Sequence, residues 1–288
     1  MKKNLALPAL AVLGGAVSFL LRLAQNRTGF EPDTGLTIPG NVPGLALAVL
    51  LVLLAAAIVF LVWKLPKETD PGPTFPEDFS TAEPKLLVLP VMGVLLMALS
   101  GLGELAGGLG LTVGGAYALT AEELYVSDLS FSRSALLLMG LLSLASAAGL
   151  FLAVTACRPR KGRAAVPGTV LLIAPAALVV RLVLTYRVDS VNPSLSAYYV
   201  ELLALVFLTL GFYRLSSFAF QAGRTRRFAL YAAPAVVLSL AALTDGSTAS
   251  RFTPLLYLGG ALTLLGFLLL RLCRSAGEHE VHHSTGEE

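Results

Sequence analysis

Apolar residues in this chain run in long unbroken stretches separated by short polar ones. Eight such stretches lie near 5–24, 43–63, 86–106, 134–157, 167–186, 196–215, 228–244 and 252–273. Most come close to the roughly 20 apolar residues that a helix needs to cross a bilayer core. In lipid the backbone must satisfy its own hydrogen bonds, so spanning segments of this kind are helices. The pattern predicts an all-α integral membrane protein with eight transmembrane helices. Residues 1–274 form a single polytopic transmembrane domain, and 275–288 read as a disordered cytoplasmic tail.

Composition agrees with this picture. Of 288 residues, 56% are hydrophobic and 14% are charged, against about 25% charged in soluble domains. The net charge of +3 does not point to nucleic acid, because the basic residues gather at helix ends. Placing the N-terminus in the cytoplasm puts fifteen Lys and Arg inside, from Lys2 to Arg274. Only Arg22, Arg27, Arg133, Arg187 and Arg251 then lie outside, with Arg181 buried. This positive-inside bias predicts both termini in the cytoplasm, which an even number of spans allows. The first run opens like a signal peptide, but Arg22-Leu-Ala24 lacks the small residue that cleavage requires, so it reads as an uncleaved helix. The expected location is the cell membrane of a prokaryote.

Two runs carry a charge where lipid disfavours one. Arg181 lies in 167–186 and Glu201 in 196–215, on either side of a short polar turn. By helix rise, both charges sit about 8–9 Å below the same membrane boundary. Ionisable residues at such depth mark a site or a pairing. Tyr198 shares a helix face with Glu201, and Tyr186 follows Arg181 in the same run. Glu104, in the glycine-rich end of the third run, is a rival partner for Arg181. The candidate site is therefore Arg181, Glu201, Glu104, Tyr186 and Tyr198, with Arg181 and Glu201 expected on facing surfaces of adjacent helices, meeting directly or through one intervening polar group.

Other segments add detail. Gly103 and Gly107 have the spacing of a small-residue helix contact; the alternative is a broken helix lining a cavity. Residues 64–85, with Pro66, Pro71, Pro73 and Pro76, read as an extended cytoplasmic loop. Thr120-Ala-Glu-Glu123 is a capping box, opening a short amphipathic helix within 116–133 on the outer surface. Cys157 and Cys273 read as reduced thiols at inner helix ends. His279, His282 and His283 in the tail are not expected to hold a metal, because Gly277 and Gly286 argue against a helix there.

Pro8, Pro90, Pro175 and Pro234 each lie early in a run that starts inside, within similar text: LALPALAVL, LVLPVMGVL, LIAPAALVV and YAAPAVVLS. Repeated helical hairpins would give two four-helix halves, 1–157 and 167–274. Chance similarity among apolar helices explains the same text.

The sequence also excludes classes. The predicted spans contain no lysine and no histidine. Retinal attachment and histidine haem ligation are therefore not expected, and no cofactor is implied. Without a visible catalytic constellation, the chain leans away from an enzyme. Two functions remain. One is a transporter or permease-like protein taking a small molecule or ion at a polar site near the outer side. The other is a non-transporting membrane subunit, sensor or assembly factor binding a protein partner through its basic cytoplasmic loops. The bilayer itself is the first partner in either case.

Overall fold

A computed structural model of the protein describes residues 5–31, 36–65, 74–81, 84–111, 132–158, 167–190, 194–245 and 252–284, with side chains to Cys273 in the last segment. The expected surface helix within 116–133 falls almost wholly outside the described residues, as do residues 159–163 of the basic stretch after Cys157.

The described chain is helical, with one isolated bridge between Phe30 and Thr37. Its helices are α1 (Ala6–Thr28), α2 (Val42–Trp63), α3 (Phe75–Phe79), α4 (Val88–Gly108) and α5 (Arg133–Ala156). They continue as α6 (Gly168–Leu171), α7 (Ile173–Asp189), α8 (Leu195–Ser216), α9 (Thr225–Ala242) and α10 (Thr253–Ser284). Short 3₁₀ turns, Pro84–Leu87 and Ser217–Phe220, precede α4 and follow α8.

Among the described residues, seven helical segments are long and apolar enough to cross a membrane. They are Ala6–Thr28, Val42–Trp63, Lys85–Gly108, Arg133–Ala156, Gly168–Asp189, Leu195–Phe220 and Thr253–Cys273. α9 is not among these seven. It has 18 residues and spends its first turn on Thr225-Arg226-Arg227, leaving a short apolar remainder.

Local rules explain several boundaries. Asn41 caps α2 by accepting from the Gly44 N–H, and Ser132 caps α5 by accepting from the Ala135 N–H. The break between α6 and α7 falls at Leu172. Pro175 causes it, because its ring has no N–H and crowds the carbonyl of Leu171, four residues back. α4 runs unbroken to Gly108, so the broken-helix alternative does not hold; Gly110, with φ +74°, follows its end. α10 continues to Ser284, through residues expected to be disordered. One Gly inside a helix costs only about 1 kcal/mol, which Gly277 does not raise enough to stop the helix.

Six helices close a ring. α9 packs on α10, α10 on α4, α4 on α5, α5 on α7, α7 on α8, and α8 back on α9. α1 packs on α9 from outside the ring, and α2 packs on α1 and α9. α9 is consequently walled in, with Phe228, Ala232, Val236 and Ala241 all buried. α2 instead exposes Leu45, Val52 and Trp63, as its uniformly apolar sequence implied. α4 and α10 approach closely where glycine faces glycine. A Cβ on Gly93 would lie 2.5 Å from the Gly259 carbonyl oxygen, and one on Gly259 2.6 Å from the Gly93 carbonyl oxygen. Gly103 faces the Phe252 ring. At the next contact it is Gly108, one residue past the expected Gly107, whose Cβ would press 2.7 Å from Leu137.

The segment read as an extended loop contains a second departure. α3 is tucked into the bundle, with Phe75, Asp78 and Phe79 all buried. Two phenylalanines within five residues carry enough apolar area to overcome the prolines around them. Pro76, near the helix start, fits its first turn.

Candidate functional site

Among the described residues, the end of the bundle where α1 finishes and α8 begins, here the upper end, holds two buried ion pairs. The first joins Arg181 of α7 to Glu104 of α4. Arg181 Nη2 donates to Glu104 Oε1 and, at 3.1 Å, to Thr253 Oγ1 at the start of α10. Arg181 is 2% exposed and Glu104 0%. Glu201 of α8 does not pair with Arg181; its Oε1 accepts from the Tyr257 hydroxyl of α10 at 2.7 Å. Arg181 and Glu201 thus form no direct ion pair; the direct partner of Arg181 is the rival, Glu104. α7 and α8 are neighbours as expected, but the ring turns Arg181 towards α4 and α10. Thr253 and Tyr257, one turn apart on α10, link the two halves of this cluster.

Two of the expected residues stand apart. Tyr186 is exposed on the bundle surface, and Tyr198 is half-buried one turn from Glu201. Neither makes a hydrogen bond to Arg181, Glu104 or Glu201 among the described contacts.

Arg181 is only partly satisfied. Its Nε and Nη1 are buried without a hydrogen-bond partner, as is Oε2 of Glu104. The Arg181 side chain borders a void within the ring, lined also by Met97, Met139, Ser143, Ser146 and Leu256. The space open to a water's centre is about 10 Å³, roughly one water molecule. Ser146 donates its hydroxyl to the Leu142 carbonyl. The arrangement offers chiefly donors to whatever enters, so it suits a small solute bearing an acceptor oxygen.

The second pair was missed in the sequence. Arg22, fully buried, donates from Nε to Asp245 Oδ1 at 2.5 Å. Its Nη1 donates to Gln25 Oε1 at 2.9 Å and to the Ser196 carbonyl at 2.8 Å; Nη2 donates to the Ala197 carbonyl at 2.5 Å. Asn26 adds a bond to Asp245 at 3.1 Å. Burial pushes the Asp245 carboxyl above the usual carboxylate range, while Arg22 and Asn26 pull it back. The loop after α1 folds over this corner, where Thr37, Ser194 and Ser196 hydrogen-bond to one another. The available signal was length: the first run continues helically to Thr28, which places Arg22 more than a turn inside the helix.

At the lower end, Arg271 of α10 is tied to α3. Its Nη1 donates to the Asp78 carboxylate at 2.7 Å and the Asp78 carbonyl at 3.2 Å, and its Nε to Thr225 Oγ1 at 2.9 Å. Arg226 donates to the Leu65 carbonyl, joining the start of α9 to the end of α2. Among the described residues no group of His, Cys, Asp and Glu is arranged to hold a metal ion. The chain matches no protein-family model, and neither curated proteins nor solved structures give a match.

Proposed function

We propose that this multi-pass membrane protein is a permease-like transporter of the cell membrane. α9 serves as an eighth span, both termini are cytoplasmic, and the upper end faces outward. The site is the interior of the six-helix ring around Arg181, Glu104, Glu201 and Tyr257. One observation carries this reading: Arg181 is buried yet leaves Nε and Nη1 without partners beside a void. Buried unpaired donors each cost about 1–3 kcal/mol, a cost that a purely structural arginine avoids. Arg22 is the internal comparison, since all three of its nitrogens donate. Arg22 is thus a structural tie, and Arg181 is the residue with donors left for a solute. The early prolines and the 4+4 repeat fit this reading less directly, because α9 and α10 lie between the α1–α2 and α4–α5 hairpins.

Topology is tested by single cysteines in a background where Cys157 and Cys273 are replaced by Ala. Ser247→Cys should react with an impermeant maleimide on intact cells, and Ala222→Cys only after permeabilisation. Reaction of both from one side would remove the eighth span.

Transport is tested at the void. Ser143→Cys should be modified by a small impermeant thiosulfonate from outside, and in inverted vesicles from inside, because a transporter opens its site to each side in turn. Addition of Arg181→Met should change both rates. The non-transporting alternative draws on a different observation: the void takes about one water and buried ion pairs tie the bundle at both ends. No modification from either side would decide for that alternative.

A further inference from the structure

We infer that α3 is a gate at the inner mouth of the ring, latched by the Arg271–Asp78 ion pair. This rests on the transport reading above and assigns the moving part that it requires.

The segment sits where α8 ends and α9 begins, against the middle of α10. Phe79 lies 5.0 Å from Phe218, just past α8, 6.3 Å from Phe228 of α9 and 5.3 Å from Phe267 of α10, by ring centroids. Phe75 adds a contact to Phe267 at 6.0 Å. The short helix therefore covers the lower ends of α8 and α9 and packs on α10 at Phe267 and Arg271. The seal is mostly aromatic, so it separates without breaking backbone hydrogen bonds of any ring helix. α3 holds its own turn locally, with Glu77 and Asp78 N–H groups donating to the Thr74 carbonyl.

The latch is polar and placed at the rim. Arg271 grips Asp78 through both its side chain and its backbone while also holding Thr225. Its guanidinium lies 5.3 Å from the Phe218 ring centroid. One arginine thus fastens α3 to α10, α9 and the turn after α8. Arg271 is 9% exposed and Asp78 1%, so water reaches the arginine of this pair, at the rim. Salt at the rim also weakens such a pair more than a fully buried one.

The test is side-specific. In the Ser143→Cys protein, Asp78→Asn and Arg271→Gln should each speed thiosulfonate modification from the inner side about tenfold, equivalent to about 1.4 kcal/mol, and leave the outer-side rate unchanged. The charge exchange Asp78→Arg with Arg271→Asp should bring the inner rate back towards the starting value. General loosening of the fold would raise both rates together, and that result overturns the gate. So does an inner rate unaffected by either variant. If Ser143→Cys reacts from neither side in any variant, the transport reading falls with it. If it reacts from both sides but ignores the latch, transport stands and the gate alone is rejected.

Discussion

Arg22→Met is expected to destabilise the protein by about 3–5 kcal/mol, the cost of breaking a buried ion pair by removing one partner. Methionine follows the aliphatic stem of the arginine as far as about Nε, so most of the stem's packing is kept. What remains is Asp245 with 6% of its side chain exposed and only Asn26 as a neutral donor. The Ser196 and Ala197 carbonyls lose their guanidinium donors as well. Unfolding in detergent, followed by denaturant titration of helicity, measures the loss. The pH dependence has a definite sign. Burial already raises the Asp245 carboxyl and Arg22 opposes it, so removing Arg22 raises that carboxyl further. Protonation then neutralises the stranded group, and the gap between variant and parent should narrow as pH falls. The double variant Arg22→Met with Asp245→Asn should be milder than Arg22→Met alone. A single-variant loss near 1 kcal/mol, as for an exposed pair, would refute the assigned role.

Phe79→Ala should cost a similar amount, about 3–5 kcal/mol, the usual range for emptying a buried phenylalanine site. Phe79 is fully buried and touches the rings of Phe75, Phe218, Phe228 and Phe267. Phe218 and Phe228 flank the turn between α8 and α9 and Phe267 lies on α10, so the cavity cannot collapse without moving these helices. Leu45→Ala is the matched control, since Leu45 is 69% exposed on α2. Thermal unfolding in the same detergent compares the two, and limited proteolysis within 74–81 reports whether α3 detaches. Equal stability losses for Phe79→Ala and Leu45→Ala would show that the segment is the extended loop its prolines suggest. Because α3 is the proposed gate, faster proteolysis in Asp78→Asn than in the parent would connect the two results.

The helices themselves were legible in the sequence. Each apolar run became helical, several within a few residues of the expected ends, as in Val42–Trp63 and Leu195–Ser216, while 252–273 extends on to Ser284 and 167–186 is broken at Leu172. The reason is local: a segment in lipid satisfies its backbone only from within, so length and apolarity decide the element. The position of Arg181 and Glu201 along their helices followed from helix rise for the same reason. Glu104 appeared as a possible partner at similar depth. Sequence could go no further there, because depth fixes position along the bilayer normal and leaves position in its plane open.

In-plane position is what the tertiary structure decided. The ring turns Arg181 to Glu104 and Thr253, and Glu201 to Tyr257. These contacts join residues 56–77 positions apart, and their choice depends on which helix stands beside which. Close approaches such as Gly93 against Gly259 set that order. The Arg22–Asp245 pair links residues 223 apart and forms only because α1 lies against α9. The burial of α3 depends likewise on the α8–α9 turn and α10 meeting around Phe79. Five residues give no periodicity from which to read that burial. The sequence by itself determined which segments are helices and where along them their charges lie, since backbone desolvation acts on each segment alone. Only the tertiary structure decided which charges meet and where α3 packs, since lateral packing acts between segments that the chain keeps far apart.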